Sequence, residues 1–319
     1  MQRIRFWGTR GSIPVALTAH DLRLKMEALL RGARGRALDD DKAIAAYLDG
    51  LELHQGGTYG GHSACVQLET GGAEYVLCDL GSGVRPFAQA MLARHGPAAP
   101  QTYHVFMSHL HWDHIMGLPF FTPAYIPGNR IFIYGCHARL REAFLRQQAE
   151  PSFPVDFSVI SAQVTFITLA PDRPHGIAGL TVTPKLQMHA GDSYGYRFEG
   201  GGKTVVYATD SEHTLEDPGQ TQTFVGFFRA ADVVIFDAMY SLAEAISVKA
   251  DWGHSSNVVG VELCQLAGAR HLCMTHHEPA FDDAAISRVL ADTRRFEEIT
   301  RAGAPLRVSA AYDGMEIEL

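Results

Sequence analysis

The most constraining stretch of this 319-residue chain is an apolar run, Tyr103 to Met107, that breaks directly into Ser108-His109-Leu110-His111-Trp112-Asp113-His114. Three imidazoles and a carboxylate within six residues call for a fold that turns one strand end into a site. Alternation along an extended turn sends His109 and His111 to one side, and Asp113 and His114 reach around the bend that follows. Imidazoles that leave one coordination position to water suit an open metal site. A second cation beside it needs the carboxylate of Asp113 and the further nitrogen of His114, a donor mix that favours Zn²⁺ or Mn²⁺ over Mg²⁺. The bland alternative is a histidine-rich polar loop. Its placement between an apolar strand and the turn Gly117-Leu118-Pro119 argues against that.

Composition excludes several classes. Hydrophobic residues make up 46% of the chain and charged residues 19%, which fits a globular protein and not a disordered or fibrous one. Arg3, Arg5 and Arg10 interrupt the apolar residues of Met1 to Pro14, so a secretory signal is not expected. No later run is long and apolar enough to span a bilayer. The expectation is a cytoplasmic protein with no membrane partner. Five cysteines, with no CxxC pair, fit a reducing compartment and read as small core hydrophobes. A net charge of −8 supplies no global attraction for a polyanion, which disfavours long nucleic acid as a partner.

The pattern along the chain is mixed. Strands are expected at 1–7, 64–69, 74–79, 103–107, 130–134, 163–168, 180–186, 194–198, 204–208, 232–236, 271–274 and 306–310, and helices at 86–95, 137–148, 258–267 and 282–302. Hairpin-like pairs alternate with strand-to-helix units, so two sheets between helices explain the order better than one doubly wound sheet. Residues 18–54 stand apart: two helices flank the basic, flexible Arg31-Gly32-Ala33-Arg34-Gly35-Arg36. We read them as an insertion in a single domain spanning 1–319. The helical spacing of Leu22, Met26, Leu29 and Leu30 reads first as core packing, with a dimer interface as the alternative. Whether the insertion covers the site, joins a homodimer, or does both stays open.

His109-x-His111-x-Asp113-His114 after an apolar strand resembles the signature of the metallo-β-lactamase superfamily. That resemblance implies an α/β, four-layer αββα sandwich with two divalent metal ions at one sheet edge. The segment Leu186 to Arg197 looks like the third-histidine segment of the phosphodiesterase branch, with His189 as the match. Asp210, in Val205 to Ser211, resembles the carboxylate that bridges both metals. In Thr275-His276-His277, His276 is preferred over His277 because Thr275-His276 aligns with the family's Thr-His pair. Asp79 looks like the acidic residue that orients the metal loop by hydrogen bonds, and a simple turn or helix-capping residue is the equal alternative. Asp237 and His254, in Phe236 to Tyr240 and Trp252 to Ser256, are similar to the acidic residue and proton-donating histidine of ribonuclease Z-like proteins. A strand-terminal turn and a helix-capping loop are their plainer readings. The resemblance runs from Arg3 to the strand near Leu306, with the insertion outside it.

The implied function is that of a two-metal hydrolase. A hydroxide held between cations attacks phosphorus, with Asp113 in the catalytic machinery and His254, steadied by Asp237, protonating the leaving oxygen. The long basic arm of ribonuclease Z-like enzymes is not found between Gly135 and Thr181, where the chain has scattered arginines such as Arg139, Arg141 and Arg146. The substrate expected is therefore a small phosphodiester such as a cyclic nucleotide. The alternatives are a thioester or lactone hydrolase of the same superfamily, or a ribonuclease Z-like endonuclease. His62 stands where the family usually has Asn, and reads either as a satisfied loop histidine or as a substrate contact.

Overall fold

The structure is a computed structural model that describes residues 1–213, 215–240 and 253–319. The chain begins with strand β1 (Arg3–Gly8), followed by helices α1 (Ala19–Gly32), α2 (Asp41–Asp49) and α3 (Leu53–Gly56). Next come β2 (Cys65–Glu69), β3 (Tyr75–Cys78), α4 (Val84–His95), β4 (Thr102–Phe106) and the single turn α5 (Trp112–Ile115). Then β5 (Arg130–Gly135), α6 (Leu140–Gln147) and β6 (Gln163–Thr168) complete the first half. The second half runs β7 (His175–Ile177), β8 (Leu180–Leu186), β9 (Tyr194–Gly200), β10 (Lys203–Ala208), α7 (Pro218–Phe228) and β11 (Val233–Asp237). It ends with α8 (Asn257–Ala267), β12 (His271–Thr275), α9 (Asp283–Thr300), β13 (Arg307–Ala310) and β14 (Glu316–Glu318).

Two seven-stranded sheets result, ordered β14-β1-β2-β3-β4-β5-β6 and β13-β12-β11-β10-β9-β8-β7. Their inner faces make one core, in which Phe6, Phe106 and Tyr134 of the first sheet meet Tyr196, Phe198 and Ile235 of the second. The outer face of the first sheet packs Tyr103, Val105 and Ile131 on Phe87 and Met91 of α4. The outer face of the second packs Val206, Phe236 and Leu272 on α7, α8 and α9 through Phe228, Val261 and Ile286. The architecture is thus a four-layer αββα sandwich, because each sheet carries apolar residues on both faces and both must be covered.

The topology decides where a site can form. Strands β3 to β6 are parallel, as are β10 to β13. Their C-terminal ends gather loops at one edge of the sandwich. Three of those ends, at Asp79, Asp210 and His276, have positive φ (61°, 50° and 59°). This left-handed conformation costs a non-glycine residue about 1–3 kcal/mol and is held only where the surroundings demand it.

Helices α1 and α2 differ from the expectation of core packing. Neither buries a residue, and Leu22, Met26 and Leu30 are exposed, Leu30 by 72%. Their apolar spacing does not mark a core face. The pair is tied down by polar contacts: Lys25 pairs with Asp283 at 2.7 Å and donates to the carbonyls of His54 and Gly57, and the Tyr47 hydroxyl donates to Leu29 O. Thr18 and Asp21 form a capping box at the start of α1. Helix α7 and the short strands β7 and β14 were not expected, although Asp217 followed by Pro218 is a helix-start signal. Four cysteines are buried, Cys136 is partly buried, and all five are free. No helix among the described residues is long and apolar enough to cross a membrane.

Candidate metal centre

Asp79 organises the site from beneath. Its buried carboxylate accepts from Ser108 N and Ser108 Oγ, from His114 Nδ1 and from the Tyr207 hydroxyl, all at 2.7 Å. A carboxylate only accepts, so each partner must donate. His114 therefore carries a proton on Nδ1 and turns Nε2 toward Asp113 and Asp210, at 3.1 and 3.3 Å. Ser108 Oγ, having given its hydrogen to Asp79, can accept from His109 Nδ1 at 3.0 Å, which leaves His109 Nε2 unprotonated. His189 Nδ1 donates to Gly253 O at 2.8 Å, with the same consequence for its Nε2.

The Nε2 atoms converge on Asp210, which lies at the end of β10. Its Oδ2 is 3.1 Å from His276 Nε2, 3.6 Å from His109 Nε2 and 4.0 Å from His189 Nε2, while its Oδ1 is 3.3 Å from His114 Nε2. His111 Nδ1 faces His189 Nε2 at 3.2 Å. Among the described residues four donor groups result: His109 with His111 and His189; Asp113 with His114, Asp210 and His276; and two that include His254, one with His189 and Asp210, the other with Asp237 and His276. Within each group the donor atoms lie within 4.8 Å of one another. All the residues expected from the sequence are brought together here. His277 is not among them: its Nε2 donates to Ala311 O at 2.8 Å, its ring packs edge-on against Tyr59, and burial pushes it down to about 4.

The electrostatics follow the crowding. Burial opposes charge on Asp113 and Asp210, but the surrounding imidazoles outweigh it and hold both carboxyls well below the ordinary range. Burial, aided by the neighbouring His114, drives His109 well below its ordinary value. His109 Nε2 and His114 Nε2 are buried without a hydrogen-bond partner. Unpaired buried imidazole nitrogens aimed at two carboxylates fit cation binding, since a cation satisfies both sides at once.

Beside this cluster, His254 Nδ1 lies 2.8 Å from Asp237 Oδ2, and its ring stacks on that of His276 at 5.0 Å and is tilted to that of His189 at 5.2 Å. Burial disfavours the imidazolium, yet Asp237, with Asp210 and Asp113 further off, lifts it to about 9. Trp252, the neighbour expected along with His254, lies outside the described residues. His62 hydrogen-bonds Ser82 Oγ at 3.2 Å, as a satisfied loop histidine does.

Sequence reasoning missed several supports. Gly11 passes so close to His276 that an added Cβ would sit 2.5 Å from its Nδ1, and Gly253 backs His189 in the same way at φ 83°. Ser108 and Tyr207 showed no motif, because their role depends on which strands meet over Asp79.

The family model described as the beta-lactamase superfamily domain matches residues 74–277, well over half of the chain. The protein belongs to this family and is a metallo-β-lactamase superfamily hydrolase, a class that binds divalent metal. Among relatives, the uncharacterized protein Rv1339 of Mycobacterium tuberculosis is 28% identical over 212 residues, covering 64% of this chain and 70% of that one. A ribonuclease Z of Acaryochloris marina is 26% identical over 257 residues, covering 66% and 78%. Among solved structures, the metallo-beta-lactamase fold protein YhfI from Bacillus subtilis superposes with a TM-score of 0.65 at 17% identity, covering 100% of this chain and 99% of that one. A diphosphatase from the PhnP family gives 0.61 at 18%, covering 100% and 98%. These two likenesses concern the fold.

Proposed function

We propose that the protein is a two-metal phosphodiesterase acting on a small phosphodiester, with cyclic nucleotides as one candidate class. The observation that carries this reading is the His254–Asp237 pair, whose His254 lines the same cavity of about 410 Å³ as His111, Asp113, His189 and Asp210. A thioester's thiolate leaves without a proton donor of this kind, whereas an alkoxide leaving group needs one. One named relative is a ribonuclease, by name an enzyme that cleaves phosphodiesters.

His109, His111 and His189 would hold one cation, and Asp113, His114 and His276 the other, with Asp210 shared between them. Five imidazole donors favour Zn²⁺ or Mn²⁺. Two such cations supply electrophilic polarisation of the phosphoryl oxygens and raise the acidity of the attacking water. The chain's own residues do the rest. Asp79 orients His114 directly and His109 through Ser108, so that the Nε2 atom of each ring faces the donor cluster. His254 keeps Nδ1 on Asp237 and presents a proton at Nε2. As the bond from phosphorus to the leaving oxygen breaks, that oxygen takes the proton and leaves as an alcohol, and the neutral imidazole is recharged from solvent.

The test is the initial rate on a bis-aryl phosphodiester, an alkyl phosphodiester, cyclic mononucleotides, a thioester and a lactone, with Zn²⁺ or Mn²⁺ restored after chelation. His254→Ala is expected to slow the alkyl diester by roughly 10²–10⁴. It should slow the bis-aryl diester far less, because a nitrophenolate leaves without a proton. Turnover of only the thioester or lactone, or an equal effect on both diesters, would overturn the assignment.

A further inference from the structure

A second depression opens beside the metal cavity and shares two of its walls, Leu110 and Trp112. It encloses about 900 Å³, more than twice the volume of the metal cavity. Aromatic and cationic side chains line it. The Trp112 ring is 81% exposed although it stands between two candidate metal ligands, and Phe120 is 56% exposed. Phe120 meets Phe153 edge to face at 5.9 Å. Arg139, which precedes α6, and Arg146, within α6, also line it. Arg139 is tied to Glu142 at 3.7 Å, whereas among the described residues Arg146 has no ion-pair partner.

Large rings left in water beside a phosphate-directed centre have a cost that an apolar ligand face would recover. Base-on-aromatic stacking next to a cationic side chain is how proteins hold nucleobases without reading their sequence. A cyclic mononucleotide has one base and one phosphate and, with its phosphate among the metal ligands, offers no second anion to Arg146. A linear dinucleotide bearing a terminal phosphate offers both. Of the arginines noted between Gly135 and Thr181, Arg139 and Arg146 line this groove.

We infer that this groove is a substrate subsite for the distal nucleotide of a short linear dinucleotide, its base stacked on Trp112 and its terminal phosphate paired with Arg146. The inference rests on the phosphodiesterase reading and narrows its substrate class. Hydrolysis balances as water plus diester giving two mononucleotide products: water oxygen joins phosphorus, the internal phosphorus–oxygen bond breaks, and the leaving oxygen takes the proton from His254.

The experiment compares kcat/KM of the Zn²⁺- or Mn²⁺-loaded protein on 5′-phosphorylated diadenylate (pApA), unphosphorylated ApA, a cyclic mononucleotide and methyl p-nitrophenyl phosphate. The expected result is pApA at least about tenfold better than ApA, with that ratio falling to about one in Arg146→Gln. Trp112→Ala should cut the ratio of ApA to methyl p-nitrophenyl phosphate by about tenfold, in line with the loss of one stacked base. Because Trp112 neighbours His111 and Asp113, Phe153→Ala provides a second variant on the far wall, with the same direction expected. Independently of turnover, pApA added to the chelated protein should quench its tryptophan emission, an effect lost in Trp112→Ala, with half-saturation shifted about tenfold upward in Arg146→Gln. A pApA-to-ApA ratio near one, or one unaltered by Arg146→Gln, would sink the subsite while methyl p-nitrophenyl phosphate turnover kept the phosphodiesterase reading. Turnover of no diester at all would overturn that reading and the subsite with it.

Discussion

His254 Nδ1 lies 2.8 Å from Asp237 Oδ2, and the same carboxylate is fixed in turn by the backbone N–H groups of Ser211 and Met239. A charge held this rigidly decides how readily the imidazole keeps its proton. Burial works against the imidazolium and Asp237 works for it. Cations at the neighbouring ligands would repel the imidazolium, so the contribution of Asp237 matters most in the loaded protein. Asp237→Asn should therefore move the alkaline limb of the kcat profile to lower pH, by about 1–3 pH units. A profile superimposable on that of the parent protein would show that His254 is not the group being titrated.

Asp79→Asn tests the tautomer argument. Asparagine tolerates the left-handed backbone that Asp79 adopts, so the turn should survive. Its amide must point a donor at partners that already donate, namely Ser108, His114 and Tyr207. Metal affinity, measured by competition with a chromophoric chelator, should fall by about 10–100-fold. Unchanged affinity would make Asp79 an ordinary turn residue.

Gly11→Ala places a methyl group 2.5 Å from His276 Nδ1, and the ring has to give way. The cation held with Asp113, His114 and His276 should be the one that suffers. Elemental analysis after dialysis should then show the metal-to-protein ratio falling from two towards one, with diesterase activity down by roughly 10². Two tightly held cations in the variant would mean that His276 is not a ligand.

Acid stability provides a test away from the metals. His213 and His271 are buried, and burial lowers each to about 4, helped at His271 by Arg307. Each binds a proton more readily unfolded than folded, so its contribution to stability is complete above about pH 6.5 and is lost as the pH falls towards 4. Across that window each costs up to about 1.4 kcal/mol of stability per pH unit. His213 is the better probe: both of its ring nitrogens lack partners, and it is stacked on Phe236 and edge-on to Phe224. Denaturant titrations of His213→Phe between pH 4 and 7 should show a shallower pH dependence than those of the parent protein. An equal slope would mean that His213 is already protonated in the folded state.

The sequence by itself determined the chemistry and the alternation of elements. His109 to His114 could be read because four donors in six residues after an apolar run have no comparable use elsewhere. The strands came through clearly, since their apolar runs are short and bounded by turns; β6 and β8 match the expected bounds residue for residue. His189, Asp210 and His276 were reached by family resemblance, and their roles as ligands remain part of the proposal. Only the tertiary structure separated His276 from His277, because the choice depends on which ring the Ala311 carbonyl captures.

The same limit explains the misreading of α1 and α2. A helical stripe such as Leu22, Met26 and Leu30 states that a face is apolar, not what lies against it. Asp79 shows the converse. Its sequence context allowed either a turn or an orienting residue, and what decides its hydrogen bonds is the meeting of β3, β4 and β10, brought together from positions 79, 108 and 207. Local pattern reports propensity and polarity. Convergence of side chains from distant strands, and the left-handed turns that aim Asp79, Asp210 and His276, are set by packing two sheets face to face.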